Sequence, residues 1–93
     1  MSELHEEEML RAGGGTPPQK LAAAIAHAIY DSGSVKIRAI GAGAVSQAMK
    51  AIAIASGYTA PRGITIVCVP GFTSIDGEGG KKISAMVIKV MSV

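Results

Sequence analysis

Residues 34–57, SVKIRAIGAGAVSQAMKAIAIASG, constrain the fold more than any other stretch. SVKIRAI alternates, with Val35, Ile37 and Ala39 on one side and Lys36 and Arg38 on the other. That is the period-two pattern of a strand covered on one face and wetter on the other. Gly41-Ala-Gly43 follows at once, then a run with apolar residues at helical spacing that closes at Gly57. Val45, Ala48, Met49, Ile52 and Ala53 form the stripe expected to be buried, and Gln47 and Lys50 point elsewhere. Ala51 and Ile54 extend the apolar surface past one face, which predicts a subunit contact. After a turn at 58–63, ITIVCVP (64–70) is rich in β-branched residues and reads as a strand stopped by Pro70. A strand, a helix and a strand in this order predict parallel strands joined by a right-handed crossover.

The flanking segments extend the pattern. EEEMLRA (6–12) reads as a first strand, and residues 1–5 as a loose leader ahead of it. TPPQKLAAAIAHAIYDSG (16–33) has Thr16 as an N-cap, Pro17 at the first helical position and Gln19 completing a capping box. Its stripe is Leu21, Ala24, Ile25, Ala28 and Ile29, and Gly33 is the stop. GFTSIDGEGGKK (71–82) supplies turn chemistry for a hairpin. ISAMVIKVMSV (83–93) is apolar on both faces along much of its length, so it belongs in the middle of a sheet. The expected architecture is α/β: a two-layer sandwich of order β-α-β-α-β-β, a four-stranded mixed sheet with two helices on one face. Residues 6–93 form the single domain.

Composition narrows the function classes. The chain has 93 residues, 48% hydrophobic but only 3% aromatic and without Trp, so its core is aliphatic and it has few platforms for stacking unpaired bases. A domain of this size buries a modest share of its surface, and a partner subunit would help it. The single cysteine, Cys68, excludes an internal disulfide and a cysteine zinc site, and reads as a buried small hydrophobe. MSELHEEEML lacks a basic region followed by an apolar run, so no signal peptide is expected. No stretch reaches the length of a membrane span, and a cytoplasmic protein is expected. Residues 9–93 carry nine Lys and Arg against Asp31, Asp76 and Glu78, an excess of six behind an acidic leader. That excess permits a polyanionic partner.

The glycine turn has three readings. A dinucleotide fingerprint needs a third glycine where Ser46 stands, and an acid about 20 residues on, where none occurs. A phosphate-binding loop of the Gly-Lys-Ser/Thr type is absent, so no cofactor is expected. Gly41 and Gly43 can instead serve only a sharp turn. The third reading places the turn and Ser46, at the start of the helix, against the backbone of a nucleic acid, with Lys36 and Arg38 adding charge. His27 has no companion at ligand spacing, and His5 with its glutamates has no defined geometry for a metal. The three body acids fall in loops and no nucleophile–base pair is discernible, so a binding protein is expected rather than an enzyme.

AIGAGAVSQAMKAIAIASGYTAPRGITIVCVPGFT (39–73) resembles the core of the stage V sporulation protein S family, and AAAIAHAIYDSG (22–33) matches that family's first helix more loosely. The resemblance runs from about residue 8 to 90. It implies a role in spore development and a fold similar to Alba, the archaeal chromatin and RNA-binding proteins, and to the C-terminal domain of bacterial translation initiation factor three. Alba proteins are dimers that bind DNA or RNA through the loops before both helices and a hairpin between the last two strands. Carried over position by position, the resemblance points to Lys20, Gly41, Gly43, Ser46, Lys81 and Lys82, with Lys36, Arg38, Lys50 and Arg62 as further basic candidates. Alba lysines before the first helix are replaced here by GGGTPP, and Alba arginines before the second by Gly41 and Gly43. The resemblance thus implies a dimeric regulator that contacts the phosphate backbone of RNA or DNA. The alternative is an oligomeric protein-interaction scaffold using the apolar faces of helix two and the last strand. A small anionic ligand at 41–46 is a third.

Overall fold

In the computed structural model, which describes residues 8–93, the elements follow the expected order: β1 (Met9–Ala12), α1 (Pro18–Ser32), β2 (Ser34–Ala39), α2 (Ala42–Thr59), β3 (Ile66–Asp76) and β4 (Lys82–Ser92). The leader expected at residues 1–5 and the metal reading of His5 lie outside the described residues. The sheet order is β1-β2-β4-β3. β1 runs parallel to β2, and β4 is antiparallel to both β2 and β3. The first three strands therefore point the same way, as expected, with β4 inserted between β2 and β3.

Two helices lie on one face of this sheet. Val35, Ile37 and Ala39 of β2 and Ile88 and Val90 of β4 are buried beneath them, in one cluster with Leu21, Ile25 and Ile29 of α1 and Ala44, Ala48 and Ile52 of α2. The central place of β4 agrees with its apolar sequence, but only one of its faces is sealed. Val87, Lys89 and Met91, on the face away from the helices, are half-buried, because no second layer covers them among the described residues.

Several local expectations are corrected. Thr16 does not cap α1. Its hydroxyl accepts the Gly13 N–H at 2.8 Å, closing the glycine turn, and Pro17 occupies the cap position with Pro18 first in the helix. Gly33 does stop α1, in the left-handed conformation at φ 86°, donating its N–H to the Ile29 carbonyl at 2.9 Å. α2 runs through Gly57 to Thr59, and the chain leaves it through a 3-10 turn at Ala60–Arg62 capped by Gly63. Its buried face is Ala44, Ala48, Ala51, Ile52 and Ala55, while Met49 and Ala53 are exposed and Val45 is half-buried. Alanine, having the smallest apolar side chain, lets α1 and α2 approach closely, and this selects the face. In α1 the inward residues include Ala22 and Ala26, with Ala24 half-buried. Pro70 does not stop β3, which continues to Asp76. β3 is an edge strand, where a residue lacking N–H is tolerated because the outer side has no ladder to support. Cys68 is half-buried against the core rather than fully enclosed.

Candidate nucleic-acid interface

The parallel pairing of β1 and β2 puts the C-terminal ends of both strands, and so the starts of both helices, at one end of the molecule. Five glycines serve the two turns there, Gly13–Gly15 before α1 and Gly41 and Gly43 before α2. Gly41 sits at φ 88°, a conformation that side chains resist. A Cβ on Gly43 would lie 3.6 Å from the Cα of Gly14, so the turn before α2 packs against the turn before α1. Gln47 ties the two together by donating from Nε2 to the Thr16 carbonyl at 2.7 Å, and Lys50 Nζ in turn donates to Gln47 Oε1 at 3.4 Å. Ser46 is exposed in the first turns of α2, and Lys20 is exposed at the third residue of α1.

β4 enters the sheet at this same end, since Met86 pairs with Ala39, the last residue of β2. Before that rung, residues 82–85 pair only with residues 73–76 of β3. A two-stranded ribbon thus projects past the helix starts by four rungs, or roughly 14 Å. The expected hairpin connection is much shorter than 71–82, and most of that segment is strand. Lys81 is exposed near the tip. Lys82 is ion-paired with Asp76, and both are exposed.

The face of the sheet away from the helices carries the densest positive charge. Lys36 and Arg38 point there, as their alternation predicts. The register sets Arg11 beside Arg38 and Lys36 beside Lys89. Like charges on directly opposed positions destabilise a sheet by a few tenths of a kcal/mol or more, so the Arg11–Arg38 rung carries a cost that a polyanion would relieve. Among the described residues the acids are Glu8, Asp31, Asp76 and Glu78, none of them on the strands at these rungs. Arg11 and Arg38 line one cleft of about 280 Å³ with Ala12, Gly13 and Ile40, which opens beside the glycine turns. Two guanidinium groups over one cleft suit a phosphate, which each can hold with two parallel hydrogen bonds.

The sequence candidates thus divide by place. Lys20, Arg38, Gly41, Gly43, Ser46 and the ribbon with Lys81 and Lys82 share one end. Lys36 lies on the open face below Arg38, and Lys50 on α2 behind Gln47. Arg62 lies at the other end, its guanidinium 4.0 Å above the Tyr30 ring, with the Tyr30 hydroxyl donating to the Tyr58 carbonyl at 3.1 Å. Neither Arg11 nor Lys89 stands out in the sequence. Each is one cation in a short apolar run, and only the strand register shows that they extend the Lys36–Arg38 row.

A model of the Stage V sporulation protein S family matches residues 8–93. Among solved structures, Alba from Thermoplasma volcanium aligns with a TM-score of 0.61 at 17% identity, covering 90% of this chain and 99% of that one. At that identity the likeness concerns the fold. No helix among the described residues is long and apolar enough to cross a membrane.

Proposed function

We propose that this chain, which belongs to the stage V sporulation protein S family, binds the sugar-phosphate backbone of RNA or DNA as a dimer and acts as a regulator in the cytoplasm, by binding rather than catalysis. The observation that carries the reading is the like-charged Arg11–Arg38 rung, whose two arginines line one cleft on the open sheet face. The cleft between the two arginines takes a phosphate. The adjacent glycine turns let a backbone come close, and the helix starts favour negative charge. The projecting ribbon and the Alba-like fold support a long ligand rather than a small one. Contacts to phosphate position a protein without reading bases, so weak sequence preference is expected.

A second reading has its own observation. Phe72, at the base of the ribbon, is 83% exposed, and Val67 and Val69 on the same edge strand are also exposed. These residues favour a protein-interaction scaffold. Titration of the protein into labelled single-stranded RNA and duplex DNA, read by fluorescence anisotropy, separates the two. The nucleic-acid reading expects binding that weakens steeply between about 50 and about 200 mM salt. Absence of binding at low salt would leave the scaffold.

A further inference from the structure

The cleft between Arg11 and Arg38 holds more positive charge than one internal link of a nucleic-acid backbone can match. Its volume of about 280 Å³ is lined by these two arginines with Ala12, Gly13 and Ile40, and no acid is among them. The arginines are directly opposed on parallel strands, whose spacing of about 4.8 Å lets both guanidinium groups meet on one group of atoms. Arg38 is half-buried. Neither guanidinium has a hydrogen-bond or ion-pair partner among the described residues. We propose that this cleft takes a phosphomonoester, the phosphate at the end of an RNA or DNA strand, in preference to an internal phosphodiester. The inference rests on the proposed function for the polymer, and on the cleft alone for the phosphate.

Three features carry it. The first is charge. An internal phosphodiester bears one negative charge, whereas a phosphomonoester bears about 1.5 to 2 at pH 7. The two arginines are always charged, so a diester leaves part of their charge unmatched, with Arg38 already half out of water. The second is the number of acceptors. A phosphomonoester offers three terminal oxygens, so each planar guanidinium can engage its own pair with two parallel hydrogen bonds, one oxygen being shared. A diester offers two such oxygens, and the two guanidinium groups compete for them. The third is the rest of the lining. Ile40 is 46% exposed beside the cleft, and burying it under the terminal sugar or base adds an apolar contact next to the phosphate. The end of a strand needs only one way out of the cleft, and the glycine turns beside it leave room for the backbone that follows.

The test uses one short, internally labelled single strand, made in RNA and in DNA, with a 5′-phosphate, a 3′-phosphate or hydroxyls at both ends. Affinities for the full chain are read by anisotropy. The expected result is that a terminal phosphate tightens binding by about tenfold, the scale of an added charge-assisted contact. The margin is expected to narrow at about pH 5, where the monoester has lost most of its second charge. Arg11→Ala and Arg38→Ala are each expected to erase the margin while the circular dichroism of the fold persists. Equal affinity for the three strands would overturn the inference and leave the proposed function standing. A margin that survives both substitutions would overturn it as well, by placing the terminal phosphate elsewhere. Uridine 5′-monophosphate alone is also titrated against the backbone amide resonances of Arg11 and Arg38. Movement of these resonances with no binding of any strand would keep the phosphomonoester site and overturn the proposed function instead. Silence from both the strands and the mononucleotide would overturn both.

Discussion

Gly41 and Gly57 both punctuate the sequence, and the two positions behave in opposite ways. Gly41 holds φ 88°, and nothing lies within 4 Å of the place a Cβ would take. Gly41→Ala is therefore opposed by backbone conformation alone, at about 1–2 kcal/mol. Gly57 has the same open surroundings but lies inside α2, where alanine is favoured over glycine by about 0.5–1 kcal/mol. Urea unfolding of the two variants is expected to move in opposite directions. Arg38 offers the matching test of function. Arg38→Ala removes a proposed phosphate ligand, so the slope of log affinity against log salt is expected to fall by about one. The same change relieves its like-charged neighbour Arg11, so the melting temperature is expected to hold or rise. A loss of affinity that tracks a loss of stability would count against a direct contact.

At the level of elements, the sequence was legible where pattern and packing agree and misleading where packing chose between equals. The alternation of 34–39, the Gly33 stop and the central place of β4 follow from periodicity. α2 does not, because it is apolar nearly all round, and spacing alone cannot say which stripe faces inward. The alanine stripe is inside because it brings α1 close, and Met49 is left 45% exposed. Pro70 leaves β3 unbroken for a related reason: proline blocks a strand only where its missing N–H would be used, and sheet order decides that. The candidate interface was half legible. Lys36 and Arg38 were visible in one strand, but Arg11 and Lys89 join them only through pairing between segments far apart in sequence. The helix contact gives a prediction. Ala48→Leu adds volume at a fully buried position and is expected to destabilise by about 1–3 kcal/mol. Met49→Ala, one residue along, is expected to stay within about 0.5 kcal/mol. Thermal unfolding of both variants would show whether the alanine face is the tight one.

The whole molecule measures 46 × 37 × 18 Å, a slab with helices on one side, cations on the other and a ribbon at one end. Two kinds of contact can be made from it, and salt distinguishes them. Contacts at the cation rungs are electrostatic and fade as salt rises. Contacts through the exposed Phe72 of β3 bury carbon, and salt does not weaken that burial. Sedimentation equilibrium of the free protein is therefore expected to show a dimer at both low and high salt, and Phe72→Glu to give a monomer. The substitution lies on an edge strand at a position 83% exposed, so the circular dichroism of the fold is expected to persist. Nucleic-acid binding by that monomer is expected to weaken, because halving the number of basic faces halves the phosphates one particle can hold, and the salt slope falls with that number. A Phe72→Glu variant that remains dimeric would place the contact elsewhere, with the exposed Met49 and Tyr58 of α2 as the next surface to change.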